Sequence, residues 1–100
     1  MILSVQKIIE AINSGKTRGY SCEECDGNVV FFLQFAMKRE GSKFICYFFK
    51  IPVSEMDIVE DIHDYEKISE FNSFDDALDF IRSNGGCFEN FSAFKGLKPI

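Results

Sequence analysis

The longest apolar part of the chain lies between Asn28 and Pro52 and has the composition of a β-hairpin. Two runs rich in aromatic and β-branched residues, 28–37 and 43–51, are separated only by the polar residues 38–42. Such residues favour strands, and a short polar break between two such runs is typical of a hairpin. The pattern therefore predicts two antiparallel strands at the centre of the fold.

Gly41 suggests how the two strands are joined. A three-residue loop at 39–41, with Gly41 in the left-handed conformation, pairs Lys38 with Ser42 and places odd-numbered residues opposite odd-numbered ones. A two-residue loop at Glu40-Gly41 requires a positive φ at Glu40, so we prefer the three-residue loop. One predicted face is then wholly apolar and holds Val29, Phe31, Leu33, Phe35, Met37, Ile45, Tyr47, Phe49 and Ile51. The other holds Val30, Phe32, Phe44, Cys46 and Phe48, and needs a cover from this chain, a second copy or a partner.

Two segments have the periodicity of amphipathic helices. In residues 2–14 the apolar side chains of Val5, Ile8, Ile9 and Ile12 form one stripe, and Gly15 follows as a C-terminal cap. In residues 74–84 the preceding Ser73 is an N-cap, two aspartates lie in the first turn, and Gly85 ends the helix.

The remaining segments give weaker patterns. We expect a short strand at 17–22 followed by a turn at 23–27, a helix at 55–65 and a short strand at 67–71. In the tail, Phe88, Phe91, Phe94 and Leu97 are spaced three residues apart, which suits a 3₁₀-like segment docked on the body. Together these elements predict a single α+β domain, residues 1–100, in which an antiparallel meander of three to four strands packs with two to three helices.

Composition narrows the class of protein. The chain is 46% hydrophobic, which is enough for a core without disulfides, and its longest apolar run is far shorter than the about 20 residues that span a bilayer. The N-terminus lacks the pattern of a secretion signal, so we expect a soluble cytoplasmic protein without a membrane partner. The formal charge of −5 disfavours direct nucleic-acid binding, which requires a basic surface.

Cys22-Glu-Glu-Cys25-Asp-Gly27 has the spacing of half a zinc knuckle. In such a site a tight turn presents two thiolates to the metal, and a second pair of ligands is needed. Cys46, Cys87 and His63 are each isolated in the sequence, so an ordinary turn with free thiols is the simpler interpretation. A redox role is weaker still, because the flanking acids raise the pKa of a thiol. A zinc- or thiol-binding module built on Cys22 and Cys25 stays an alternative hypothesis.

No arrangement in the sequence predicts catalysis. His63 lies between acids but has no nucleophile beside it, and there is no glycine-rich phosphate loop that opens a helix. We expect a protein that is not an enzyme and that carries no cofactor.

The acidic segment 55–79 departs most from a random distribution of charge. It holds ten Asp and Glu residues against one base, Lys67, while residues 1–50 hold seven Lys and Arg against five acids. Such a surface steers association with a basic site on another protein. Small acidic inhibitors such as immunity proteins and nucleic-acid mimics use the same physics, an analogy of charge and size.

The leading hypothesis is therefore a small acidic, non-enzymatic binding protein, an immunity-like inhibitor or regulator of a partner with a basic site. The expected contact residues are Asp57, Glu60, Asp61 and Asp64, with Tyr65 as an aromatic anchor. A solvated acidic face that only promotes solubility explains the same charges. A further alternative is a homodimer that buries the face of Phe32, Phe44 and Phe48.

Overall fold

A computed structural model describes residues 2–57, 65–94 and 98–100, with side chains from residue 5 onward. In the described part of the chain, two helices pack on one antiparallel sheet of five strands, in the spatial order β4-β3-β2-β1-β5. The elements are α1 (Ile2–Asn13), β1 (Arg18–Asp26), β2 (Val29–Glu40), β3 (Lys43–Pro52), β4 (Glu66–Phe71), α2 (Phe74–Ser83) and β5 (Ser92–Ala93), with 3₁₀ turns at Val53–Glu55 and Phe88–Asn90. The predicted α+β class and the meander of β1 to β4 are confirmed. The fifth strand was not predicted.

The central hairpin forms where the sequence predicted it, but its predicted register is wrong. Glu40 pairs with Lys43, so the loop is the two-residue turn Gly41-Ser42, with φ +64° at Gly41. A glycine with positive φ at the first loop position, followed by a residue with negative φ, is typical of a type II′ turn, whose twist matches that of the strands. Odd-numbered residues of β2 therefore face even-numbered residues of β3.

This register gives the sheet two apolar faces in place of one. The face that the helices cover, called here the helix face, holds Leu33, Phe35, Met37, Phe44, Cys46 and Phe48. The opposite face, called here the second face, holds Phe32, Ala36, Tyr47, Phe49 and Ile51. The three phenylalanines of the predicted dimer face thus lie on both sides of the sheet, and that surface does not exist.

The helix face is buried by α1 and α2, as their amphipathic periodicity predicted. Ile8 and Ile12 of α1 and Ala77 and Ile81 of α2 are buried against the sheet. The Cys46 thiol donates to the Ala77 carbonyl over 3.7 Å, which joins the middle of β3 to α2. Both helices end at the predicted glycines, and Ser73 accepts a hydrogen bond from the Asp76 amide over 3.2 Å.

The C-terminal tail passes from one side of the sheet to the other. Phe88 and Phe91 are buried on the helix face, the two residues of β5 pair with β1, and Phe94 packs on the second face. Ile100 packs there too, and its carbonyl accepts a hydrogen bond from the Thr17 hydroxyl over 3.0 Å. Docking of the tail is confirmed for Phe88, Phe91 and Phe94, with β5 as a point of attachment, while Leu97 lies outside the described residues.

The first strand is longer than predicted. It runs through residues 23–26, where a turn was expected, and pairs with β2 up to Asp26 opposite Val29. The turn itself is Gly27-Asn28, with φ +62° at Gly27, so it repeats the geometry of the Gly41-Ser42 turn. The predicted strand at 67–71 is confirmed as β4. The predicted helix at 55–65 falls mostly on residues 58–64, outside the described part of the chain.

Candidate binding surface

The predicted contact residues divide into two groups. Asp57 lies exposed in the turn that follows the 3₁₀ turn Val53–Glu55, and Tyr65 is half-buried against the second-face cluster. Glu60, Asp61 and Asp64, like His63, lie outside the described residues. Because its ring already packs on the second face, Tyr65 offers only part of its surface to a partner.

The acidic segment continues onto α2. This helix buries Ala77 and Ile81 and exposes Asp75, Asp76 and Asp79, because an amphipathic helix on a sheet turns its polar positions to solvent. None of these three aspartates forms an ion pair with a described residue. They form a line of uncompensated negative charge on the outside of the helix layer.

Two acids of β4 have partners within the protein. Glu70 lies 3.5 Å from the Lys43 ammonium group, with both side chains largely exposed. Glu66 accepts a hydrogen bond from the Tyr47 hydroxyl. The pKa of Tyr47 is raised, mainly because the side chain is buried and to a smaller extent because the Glu66 carboxylate lies beside it. These two carboxylates stabilise the β3–β4 pair and are less available to a partner than those of α2.

Cys22 and Cys25 lie on an extended strand and not in the tight turn that a zinc knuckle requires. Cys22 pairs with Leu33 of the helix face, whereas Cys25 pairs with Val30 of the second face. Residues three apart on a strand point to opposite sides, so the two thiols do not converge on one metal ion. Among the described residues no group of three or more Cys, His, Asp or Glu side chains is placed to hold a metal.

Cys22 and Cys87 have surroundings that raise the pKa of the thiol. Partial burial and, to a smaller extent, Glu24 raise the pKa of Cys22. Cys87 donates from its sulfur to a Glu89 carboxylate oxygen 3.0 Å away, and this hydrogen bond raises the pKa of that thiol. Since the thiolate is the nucleophile, both environments oppose thiol chemistry.

A projecting hairpin arm is the main feature that the sequence analysis missed. All ten residues 21–30, the ends of β1 and β2 with their turn, are exposed, and we call them the β1–β2 arm. β1 carries Glu23, Glu24 and Asp26 there, and β2 carries Val29 and Val30. Two glycine-containing turn dipeptides, Gly27-Asn28 and Gly41-Ser42, were the available signal, because Gly-Asn and Gly-Ser are typical two-residue hairpin loops.

The base of the arm is held by a short electrostatic stack. The Lys50 ammonium group lies 4.6 Å from the centre of the Phe31 ring and 3.7 Å from a Glu24 carboxylate oxygen. A cation over an aromatic face is attracted by the quadrupole of the ring. Lys50 pairs with Leu33, so it lies on the helix face, where it neutralises one acid of the arm.

A depression of about 360 Å³ opens beside the arm, lined by Asn28, Val29, Val30, Val53 and Ser54. Val29 and Val30 are 43% and 38% exposed, and Val53 is 38% exposed, so its walls are apolar and open to solvent. A second depression of about 310 Å³ lies between Phe94 and the paired strands β1 and β5. Both are shallow surface features, in contrast to the enclosed pockets of most small-molecule sites.

Comparison with protein-family models, with curated proteins and with solved structures finds no significant match. In the part of the chain that the structure describes, no helix is long and apolar enough to cross a membrane.

Proposed function

We propose that the protein is a small, non-enzymatic binding protein, an inhibitor or regulator that docks its acidic segment on a basic site of a partner protein. The proposed contacts are Asp57, Glu60, Asp61, Asp64 and Tyr65, extended by the exposed aspartates of α2. Neither an enzymatic role nor a cofactor forms part of this proposal.

The observation that carries the proposal is the uncompensated charge of segment 55–79. Of its described acids, Asp57, Asp75, Asp76 and Asp79 are exposed and form no ion pair with a described residue. Soluble surfaces commonly intersperse charges of both signs, and a large field of one sign is typical of a surface that steers a partner. A surface on which one sign of charge predominates over a continuous segment raises the rate of encounter with a site of the opposite charge.

The proposal predicts how binding responds to salt. Steered association slows steeply as ionic strength rises, because exposed charges are screened beyond about 8 Å at physiological salt. The partner should therefore be captured from native lysate at low salt and released when the salt concentration is raised. Mass spectrometry of the released protein then identifies the partner. Recovery of this chain alone would favour the solubility interpretation.

Charge reversal within and outside the segment provides the decisive comparison. Asp57→Lys with Asp61→Lys should lower the association rate constant for the captured partner by about tenfold at low salt, with less effect on dissociation. The matched control is Glu10→Lys with Glu40→Lys, which makes the same change of net charge at exposed positions of α1 and β2. Equal slowing by both pairs would mean that only net charge matters, and an unchanged rate in the first pair would refute the proposed contact surface.

A further inference from the structure

The first strand, β1, forms an open edge of the sheet along most of its length. β5 pairs with β1 only at Arg18 and Gly19. The residues before β5 do not continue this pairing, because the amides of Asn90 and Phe91 donate over 3.0 Å to carbonyls of their own 3₁₀ turn. Residues 21–26 are exposed and, among the described strands, have β2 on one side and none on the other. The open part of β1 is therefore six residues, or about 20 Å, long.

Three residues of this edge turn their backbone groups away from β2. In an antiparallel pair, the residues that flank a two-residue turn form a hydrogen-bonded pair, and such pairs recur at every second residue. Counting from Asp26 opposite Val29, the residues of β1 that bond to β2 are the even-numbered ones. The N–H and C=O groups of Ser21, Glu23 and Cys25 therefore point outward, and no backbone hydrogen bond outside the sheet ladder joins them to a described residue. Such a row of unpaired groups is a template for a further strand.

The charges on the edge strand itself select the chemistry of its occupant. Glu23, Glu24 and Asp26 lie on β1, so their side chains stand directly beside those of any strand that is added there. Glu24 lies 3.7 Å from the Lys50 ammonium group, whereas neither Glu23 nor Asp26 forms an ion pair with a described residue. Opposite charges on paired residues stabilise a sheet, so bases opposite Glu23 and Asp26 complement this edge.

A second copy of this chain does not complement the same edge. Antiparallel pairing that uses all three outward-facing residues places Glu23 opposite its own counterpart, with Ser21 opposite Cys25. Parallel pairing in register places each acid of the strand beside its counterpart. Both arrangements bring like charges together without a base between them, which destabilises a sheet. The occupant that fits is therefore a segment of another protein with the opposite charge.

We infer that the outer edge of β1, from Ser21 to Asp26, binds an extended basic segment of a partner protein by antiparallel strand addition. The segment lines the edge at which β5 already pairs, and its backbone bonds to Ser21, Glu23 and Cys25. Lys or Arg residues at its first and fourth positions lie opposite Asp26 and Glu23. This inference does not depend on the proposed function, because β2 and β3 separate β1 from β4, where the acidic segment 55–79 enters the sheet.

Peptide titration followed by NMR tests the inference without knowledge of the partner. The probe is the acetylated and amidated hexapeptide Lys-Val-Thr-Lys-Val-Thr, added at millimolar concentration to the isotope-labelled full chain at low salt under reducing conditions. The backbone amide signals of Ser21, Glu23 and Cys25 should shift in a saturable manner. Near saturation these three amides should exchange with solvent at least about fivefold more slowly, because a bonded amide exchanges only after the bond opens.

Methylation of the peptide backbone separates strand addition from attraction between charges. The second and fourth residues of the probe lie opposite Cys25 and Glu23, so their N–H groups bond to β1. N-methylation of these two residues should weaken binding about tenfold, because two backbone hydrogen bonds are lost. N-methylation of the third and fifth residues, whose N–H groups point to solvent, should change binding by less than about twofold. The charge of the peptide is the same in both controls.

Reversed and neutralised charges test the choice of a basic occupant. The peptide Glu-Val-Thr-Glu-Val-Thr should bind at least about fivefold more weakly than the lysine peptide. Glu23→Gln with Asp26→Asn should weaken binding of the lysine peptide about fivefold and reduce its salt dependence. The control is Glu10→Gln with Asp79→Asn, which makes the same change of net charge on α1 and α2 and should leave binding unchanged. All four positions are exposed, so each variant retains the fold.

Four results would overturn the inference. They are no shift at Glu23 and Cys25 with the lysine peptide, equal binding of the two methylated peptides, equal binding of the lysine and glutamate peptides, and shifts at Glu23 that depend on protein concentration without peptide. The last result would assign the edge to a second copy. The effect of Asp57→Lys with Asp61→Lys on the captured partner tests the acidic segment separately, so either proposal can fail while the other stands.

Discussion

At the scale of single residues, Gly19 shows how closely β1 approaches its neighbour β2 and the Phe94 ring. A Cβ at this position would overlap the Phe35 carbonyl and come within 2.8 Å of the Ala36 Cα and of the Phe94 ring. The first two neighbours are backbone atoms of the paired strand, so they cannot move without separating β1 from β2. Glycine is required here for space.

We therefore expect Gly19→Ala to destabilise the protein by about 3 kcal/mol or more, which is the upper end of the usual cost of an overpacked core. The free energy of unfolding is measured by urea unfolding monitored by circular dichroism. Ser21→Ala, two residues along the same strand at an exposed position, is the control and should change stability by less than about 0.5 kcal/mol. Replacing Phe94 with Leu in the Gly19→Ala variant should restore little of the lost stability, because the nearest clash is with the backbone carbonyl of Phe35. Full rescue would mean that the ring alone excludes the methyl group.

Cys46 gives a pH dependence that follows from its burial. The side chain is fully buried in β3, and this burial raises the pKa of the thiol from 9.0 to about 12. The thiol stays protonated in the folded state at a pH at which it ionises in the unfolded chain. Protons are then more tightly held by the folded state, so stability is lost as pH rises above about 9.

This group should cost the protein about 1.4 kcal/mol of stability between pH 8 and pH 10, from the linkage relation. The measurement is the unfolding free energy of the protein and of Cys46→Ala at both pH values under reducing conditions. The variant is less stable at pH 8, since it loses buried contacts, but its deficit should shrink by about that amount at pH 10. A deficit that is independent of pH would show that Cys46 does not titrate in this way.

At the scale of elements, α2 depends on the cap that joins it to β4. The Ser73 hydroxyl accepts from the Asp76 amide over 3.2 Å, and Asp75 and Asp76 lie in the first turn, where the helix dipole favours negative charge. The same helix carries the buried Ala77 that bonds Cys46 and the exposed aspartates of the acidic segment. Its first turn thus contributes both to the core and to the proposed binding surface.

Ser73→Ala should destabilise the protein by about 1 kcal/mol, as measured by thermal unfolding. Ser83→Ala at the other end of α2 is the matched control, because the Ser83 hydroxyl only donates to the carbonyl of Phe80, three residues earlier, at an exposed site. That change should be nearly neutral. Equal losses from the two variants would mean that the Ser73 hydrogen bond does not act as a cap.

At the scale of the whole molecule, the sheet is covered on both faces at its centre and has no support at one corner. β2 and β3 are covered on both faces, by the helices on one side and by Tyr65, Phe94 and Ile100 on the other. β5 supports β1 only at Arg18 and Gly19, and the arm beyond has no neighbour on its outer side among the described residues. Its acids protect this open edge from pairing with further copies of this chain, which is how natural edge strands avoid aggregation.

Hydrogen exchange should reveal this difference within a single pair of strands. The amides of Val29 and Phe35 both occupy hydrogen-bonded positions of the β1–β2 ladder, by the alternation that starts at the Gly27-Asn28 turn. Val29 should exchange by local opening, at least about a hundredfold faster than Phe35, which should exchange only by global unfolding. Equal protection of the two amides would show that the arm is as stable as the core.

Local sequence patterns predicted most elements because each pattern is a property of its own segment. The stripe of α1, the Ser73 cap and Gly85 of α2, and the two apolar runs of the hairpin all act over distances of a few residues. The exposed positions of the α2 aspartates follow from the same local rules.

The tertiary structure decided the register of the sheet and, with it, the candidate site. Both strands of the central hairpin carry apolar side chains at odd and at even positions, so alternation alone does not choose between pairings. The choice depends on having two covers, α1 with α2 on one face and the tail on the other, and the tail comes from residues more than forty positions away in the chain. The depression at Val30 and Val53 exists because that register ends at Pro52, so it was determined by contacts between distant segments and not by any local pattern.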